Sequence, residues 1–313
     1  MRNKIVTIVG GTGFVGRYVV KLLAQRGYTI RVIARNPGLA LQLKTAGDVG
    51  QVVLVPGNLA RPDSLAGKLD NSWAIINLVG ILFETTRQDF AAVHAKGAEK
   101  LAQLARPAGA ERFVHMSSLG VDKMVKSKYA RTKAMGEKAV RAAFPEATIL
   151  RPSVIFGPED QFFNTFAGMA RLRVLPLIGG GHTRFQPVYV GDIARAVLAA
   201  LEESAATGGT FELGGPGVYS IRGLLEYICK VTGRDPFMIN IPFGVASLIG
   251  YFTQLLPRPP ITHDQVGMLE HDSVVSAGAK TFADLGITPT ALETIVPEYL
   301  ARFASPGLAQ SVS

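Results

Sequence analysis

One cysteine, Cys229, stands among 313 residues, so no disulfide within the chain can hold this fold together. That usage suits a reducing compartment. Charged residues reach only 18% against 48% hydrophobic, which excludes an intrinsically disordered chain and leaves room for an apolar surface facing a partner or a bilayer. No apolar stretch attains the roughly eighteen residues that a membrane-crossing helix needs. The five histidines and Cys229 show no metal-ligand spacing. The pairs His263-Asp264 and His271-Asp272 come nearest to one, and no metal is expected. No Gly-Lys-Ser/Thr follows a glycine loop, which removes a phosphate-loop nucleotidase.

Positive charge, by contrast, is in excess. Lys and Arg number 33 against 24 Asp and Glu, for a net charge of +9. Phosphate-bearing ligands, anionic lipid or acidic proteins are the partners this balance favours. Nucleic acid has no aromatic platform or recognition motif to support it. The opening Met1-Arg2-Asn3-Lys4 and the apolar run after it superficially resemble a secretory signal. The run contains Gly10-Gly11-Thr12-Gly13, however, and reads as a first strand and a loop.

Short apolar runs alternate with segments of helical period through the first half, the pattern of a parallel sheet covered by helices on both faces. Strands are expected over 4–9, 29–34, 51–55, 74–79, 112–116 and 147–150. Val15, Val19, Leu22 and Leu23 fall at helical spacing after the first strand, and Val93, Leu101 and Leu104 suggest a helix before the fifth. Beyond about residue 150, Gly and Pro become frequent and the pattern loosens. The expectation is a doubly wound parallel α/β sheet, a Rossmann fold, with a smaller C-terminal α/β lobe. Residues 1–155 form the dinucleotide-binding domain and also receive 183–213, where 185–190 and 210–213 read as returning strands. Residues 156–304 form the interleaved lobe, and 305–313 a disordered tail.

Gly10, Gly13 and Gly16 stand three apart between the first strand and the first helix. A tight strand-to-helix turn needs a residue without a Cβ, a second glycine admits a pyrophosphate, and a third lets the helix pack closely. The helix N-terminus then receives the anion. NAD-preferring folds place a carboxylate at the end of the second strand, but here that strand ends Ile33-Ala34-Arg35-Asn36. Arg35 would face the 2′-phosphate of NADP, so NADP(H) is preferred and NAD(H) remains the alternative. Asn58 and Leu59, after the third strand, are placed to meet the adenine.

The glycine spacing, Asn58-Leu59, Asn77-Leu78-Val79-Gly80, Ser117-Ser118 and Tyr129-Ala130-Arg131-Thr132-Lys133 together resemble the short-chain dehydrogenase/reductase superfamily, in its extended or atypical branch. A narrower likeness runs through Ser127 to Lys138, Phe144 to Ser153, Gln186 to Val190, Asp272 to Ser276 and Asp284 to Thr290. These segments are similar to the dinucleotide-binding accessory subunits of mitochondrial respiratory complex I and their alphaproteobacterial relatives. The resemblance implies a bound nicotinamide dinucleotide contacted by Gly10, Thr12, Gly13, Phe14, Val15, Gly16, Arg35, Asn58, Leu59, Val79, Gly80, Tyr129, Lys133 and Pro152. In the mitochondrial subunit it also implies a mainly structural role beside the quinone-reducing region.

The superfamily, on the other hand, implies catalysis by Ser118, Tyr129 and Lys133. Tyr129 and Lys133 are four apart and share a helix face, and an ammonium beside a phenol favours phenolate, giving an acid or base usable near neutrality. Ser118 would hold a substrate oxygen, with Ser117 as the alternative if the register slips by one. Only ten residues separate Ser118 from Tyr129, which disfavours sugar-nucleotide epimerisation. His94 stands where the family carries a structural asparagine, and packing or hydrogen bonding is preferred for it over a proton-shuttle role. Lys123, Lys126, Lys128, Arg131, Lys133, Lys138 and Arg141 gather around this helix as a solvated face or a docking patch. The apolar segment 241–260 is read as a core helix or lid, or as a surface for a membrane or hydrophobic partner. Two functions follow. One is an NADP(H)-binding, complex I accessory-like protein, cytoplasmic or peripheral on the inner face of the plasma membrane. The other is an active NAD(P)H-dependent reductase or isomerase of a quinone- or lipid-like substrate.

Overall fold

The computed structural model describes residues 4–86, 88–257 and 259–305. The signal-like first residues and the tail from 306 onward lie outside the described residues. Two compact units emerge, and each is described by itself. The first takes in residues 4–152, Gly191–Leu213 and Ala277–Thr288.

Its centre is a seven-stranded sheet. Strands β1 (Ile5–Val9), β2 (Thr29–Ala34), β3 (Val52–Pro56), β4 (Ser72–Asn77), β5 (Arg112–Met116) and β6 (Thr148–Pro152) are joined by Thr210–Leu213. The spatial order is Thr210–Leu213, β6, β5, β4, β1, β2, β3, with every pairing parallel. Val32, Ile8, Ile76 and Val114 lie across from one another in register. All four are fully buried, as strands covered on both faces require. On one face Val9, Ile33, Ile75, Phe113 and Ile149 pack with Leu101, Val140 and Phe144 of the covering helices. Burial of each such side chain contributes about 1.5–3 kcal/mol. The strand order reverses between β1 and β4, which opens a crevice at their carboxyl ends, where sheets of this type take ligands.

Helices α1 (Phe14–Gln25), α2 (Ala98–Ala105) and α3 (Lys128–Ala143) cover the sheet. Ser127 caps α3 by accepting the Ala130 amide at 3.1 Å. A π-helical turn, Ala91–Gly97, leads into α2. It runs so close to α3 that a Cβ on Gly136 would come 2.0 Å from the His94 carbonyl oxygen. Two sequence expectations need correcting. The fourth strand ends at Asn77 rather than Val79, because the Asn77 side chain turns to accept the Val79 amide at 3.1 Å and breaks the ladder. Residues 185–190 do not return to the large sheet. Arg184–Phe185 pairs instead with Tyr219–Ser220, and Val188–Tyr189 with Ile155–Phe156.

The second unit comprises Ser153–Val190, Gly214–Ser276 and residues 289–305. Its core gathers Phe156, Phe163, Leu175, Leu177, Leu224, Ile228 and Val296. Strands Val174–Ile178 and Phe237–Ile241 form a parallel pair. Within segment 241–260 a helix, Phe243–Thr253, buries only Ala246 and Gly250, so this helix is not core. Among the described residues no helix is long and apolar enough to cross a membrane.

Candidate functional site

The three glycines of the first loop do different work. Gly10 holds φ +90°, and a Cβ there would meet the Leu78 and Val79 backbone at 3.0 Å, so the turn is pressed against the end of β4. A Cβ on Gly16 would sit 2.4 Å from the Gly10 carbonyl oxygen, so this glycine lets α1 pack on the loop. Gly13 is different. It has ordinary φ −76°, and its Cβ would find one neighbour within 4 Å, the Gly10 oxygen at 3.4 Å. The protein itself leaves that space open. Gly13 also starts α1 with no side-chain cap and no acidic residue in the first turn, leaving its positive pole for an anion. Thr12 is exposed, and Phe14 and Val15 are half-buried beside it.

Arg35 is exposed at the end of β2, and its guanidinium donates to the Gln88 amide oxygen at 2.8 Å. Because β1 lies between β2 and β4, this bond links the two sides of the glycine loop. Its partner is neutral, and no ion pair to Arg35 occurs among the described residues. Asn58 uses its side-chain oxygen to accept the Ala60 amide, closing its own turn. Leu59 is buried in the sheet's core. Val79 is half-buried against the same core, and Gly80 is exposed. A Cβ on Gly80 would lie 3.4 Å from Lys133 Nζ, so the loop after β4 and the middle of α3 meet here. Pro152 ends β6, and its carbonyl accepts the Leu119 amide at 2.9 Å.

Ser118, Tyr129 and Lys133 converge at the same strand ends. The Ser118 hydroxyl hydrogen-bonds that of Tyr129, which fixes the register in favour of Ser118 over Ser117. Ser117 is buried, and its hydroxyl has no partner. Tyr129 is buried against the rings of Phe90 and His94, with centroids 5.8 and 5.2 Å away. Burial raises its pKa above 10, and the Ser118 bond only opposes that rise. Burial thus works against the phenolate that spacing from Lys133 suggests and favours the neutral phenol. Lys133 donates to the Met116 carbonyl at 2.9 Å, and burial lowers its pKa to about 8 against the opposing charge of Glu137.

His94 is buried and neutral. Its Nε2 accepts the Ile81 amide at 3.1 Å, so Nδ1 carries the proton and donates to Thr132 Oγ1 at 3.2 Å. Desolvation, with the charge of Lys133 adding to it, lowers its pKa to about 2. It holds the loop and the tyrosine ring. His115 is held neutral in the same way, its pKa lowered to about 3 by burial and Lys133. Its Nδ1 meets the Asn77 amide nitrogen at 3.2 Å, while Nε2 has no partner. Arg151, on β6, grips Glu137 through two bonds of 2.9 and 2.7 Å and pairs with Asp122 at 3.0 Å and Glu212 at 3.6 Å.

His115, Glu137 and Arg151 escaped sequence reasoning. Their signal was present, since a histidine in Phe113-Val114-His115-Met116 and an arginine in Ile149-Leu150-Arg151 are polar residues inside buried strands. The basic cluster on α3 is largely engaged with its own surroundings. Lys128 pairs with Glu84, Arg131 bonds two carbonyls, and Arg141 bonds Gly208 and Thr210. His263 bonds Ser247 and Asp272 pairs with Arg184, and no group of three metal-ligating side chains occurs among the described residues. The open depression bordered by Asp70, Trp73, Pro107 and Glu111 lies at the opposite, amino-terminal strand edge.

Residues 6–214 match the model of the NAD dependent epimerase/dehydratase family. The chain belongs to that family. A nicotinamide dinucleotide is accordingly the cofactor class of its glycine loop. Among relatives, the chain is 37% identical over 301 residues to NADH dehydrogenase (ubiquinone) 1 alpha subcomplex subunit 9, mitochondrial, of Mus musculus, covering 95% of this chain and 80% of that protein. The Arabidopsis thaliana protein of the same name is 36% identical, covering 97% and 79%. A ceramide reductase of Caulobacter vibrioides is 33% identical, covering 82% and 81%. In fold, this family member superposes on a dTDP-glucose 4,6-dehydratase from Streptomyces venezuelae, solved with NAD bound, with TM-score 0.72 over 96% of both chains at 20% identity.

Proposed function

We propose that this protein is an NADP(H)-binding accessory component of a respiratory complex I, in which the dinucleotide chiefly stabilises the first unit, and that it sits peripherally on the membrane holding that complex. The observation that carries the reading is likeness to complex I subunits along almost the whole chain, in animal and plant proteins alike. Gly10, Gly13 and Gly16 receive the pyrophosphate at the start of α1, with Thr12, Phe14 and Val15 around it. Asn58 and Leu59 border the adenine side, and Val79, Gly80, Tyr129, Lys133 and Pro152 the nicotinamide side. Arg35 brings an unneutralised charge to the ribose end, where a 2′-phosphate would give it a charged partner. Affinity capture from solubilised membranes should return other complex I subunits, and their absence would overturn the assignment. Titration by nicotinamide fluorescence should show Arg35→Ala weakening NADPH about tenfold to a hundredfold, the scale of one charged hydrogen bond, and NADH far less. Equal losses would remove Arg35 from that role.

A second reading has its own support. The Ser118, Tyr129 and Lys133 constellation is assembled, and one relative is named for ceramide reduction. When bound, the dinucleotide would supply or accept hydride. Tyr129, as a neutral phenol, would give the proton to a carbonyl oxygen held by Ser118, and Lys133 would orient the ribose. In this reading Tyr129→Phe lowers NADPH oxidation with long-chain carbonyl compounds by about a hundredfold or more. Absence of turnover in the unaltered protein across that screen leaves the structural role standing alone.

A further inference from the structure

Helix Phe243–Thr253 faces the wrong way for a soluble surface. Its inner face is made of small or polar residues. Ala246 and Gly250 are buried, Ser247 bonds His263 at 2.7 Å, and Thr253 bonds the Ile261 carbonyl at 2.6 Å. A Cβ on Gly250 would lie 2.7 Å from the His263 amide nitrogen, so the helix is pressed onto the segment beginning Thr262 by its smallest residues. Val245, Leu248, Ile249, Phe252, Leu255 and Leu256 are exposed instead, at spacings of three, one, three, three and one. That is one helical stripe, pointing outward and continued past the helix end. Tyr251 is exposed beside it.

Charge narrows the occupant. From Pro236 to His263, 28 residues, there is no Asp or Glu. The strand before the helix exposes Ile239 and Phe237, the latter 73% accessible. The Phe237 amide donates to Arg173 at 2.9 Å, in a turn where Arg171 and Arg173 are exposed around an exposed Leu172. An apolar stripe without carboxylates, in a unit that carries exposed arginines beside exposed apolar residues, suits acyl chains below anionic headgroups. The helix has 11 residues, about 16 Å long, which is far short of spanning a bilayer.

We propose that the outward stripe Val245-Leu248-Ile249-Phe252-Leu255-Leu256 lies in the interface of an anionic lipid bilayer and seats the protein on the membrane. This deepens, and rests on, the peripheral placement proposed above. The test is flotation of the full chain, saturated with NADPH, on vesicles of phosphatidylcholine with cardiolipin and on phosphatidylcholine alone. The unaltered protein should float with the anionic vesicles, less so at high salt, and far less with neutral ones. Leu248→Glu with Phe252→Glu should reduce binding at least about tenfold with NADPH affinity unchanged. Should that variant fail to fold, Phe252→Trp provides the reading, by blue-shifted emission and quenching by brominated lipid. Failure to bind anionic vesicles, undiminished binding by the double variant, or an unquenched Trp overturns the proposal. So does a dimer, broken by the same substitutions, that ignores vesicles, since the stripe then covers a second copy. Vesicle binding without capture of complex I subunits overturns the complex assignment and leaves the membrane seat in place.

Discussion

Lowering the pH from 7 to 5 should destabilise the first unit of the dinucleotide-free protein by about 4 kcal/mol, through two histidines alone. His94 and His115 are both buried, with pKa values lowered from 6.5 to about 2 and about 3. A base whose folded pKa is depressed takes its proton only on unfolding, so stability is full above the unfolded value of 6.5 and falls as pH drops below it. The size of the effect depends only on both folded values lying well under 5, not on where they lie. Each histidine then contributes about 2 kcal/mol between pH 7 and 5, before most carboxylates titrate. Urea unfolding followed by Trp73 emission is the assay, because the only tryptophan lies in β4 of the same unit. His94→Asn should halve the pH dependence whatever it does to stability at pH 7. A loss below about 1 kcal/mol in the unaltered protein, or an unchanged slope in the variant, would show that these histidines charge readily in the folded state.

Three further outcomes follow from the geometry. Gly13→Ala should leave the stability of the ligand-free protein within about 0.5 kcal/mol while weakening dinucleotide binding, and Gly16→Ala should destabilise it outright, because only the second Cβ strikes backbone; thermal melts with and without NADPH separate the two. Arg151→Met leaves Glu137 and Glu212 buried without their cation and should cost about 3–5 kcal/mol by chemical denaturation, with less lost when Glu137→Gln is present. Ser117→Ala removes a hydroxyl with no partner and should change the melting temperature little or raise it, in contrast to Ser118→Ala, which should abolish any carbonyl reduction the protein performs.

The sheet was legible because its strands are buried on both faces and therefore read as unbroken apolar runs, as in Ile5 to Val9 and Ala74 to Ile76. The glycine loop was legible because covalent geometry ties spacing to function. Lys133 and Tyr129 were legible as neighbours because helical period needs no tertiary knowledge. Beyond that, local rules failed for definite reasons. Which serine meets Tyr129 depends on a single-residue register, and a strand end gives no signal for it. Residues 185–190 have strand composition, but their partners, Tyr219–Ser220 and Ile155–Phe156, lie in the second unit. Segment 241–260 revealed its apolarity in the sequence, but not that the helix would turn its small residues inward.

The state of the tyrosine illustrates most clearly what spacing cannot supply. Four residues on a helix bring an ammonium near a phenol, and in water that would favour phenolate. Here Phe90 and His94, delivered by the π-helical turn before α2, strip water from the phenol, and desolvation outweighs the rest. Lys133 is itself too buried to be a full-strength cation. Its charge is kept partly by Glu137, whose two oxygens Arg151 holds. The protonation of the α3 pair is thus set by burial, with Ser118 and Glu137 opposing it, and spacing along the helix reports none of this. The same chain of burial keeps His94 and His115 neutral, since a second positive charge beside Lys133 would have no carboxylate left to offset it. At pH 7 a site arranged this way holds a neutral phenol and two neutral imidazoles beside a lysine that gives up its own charge above about pH 8.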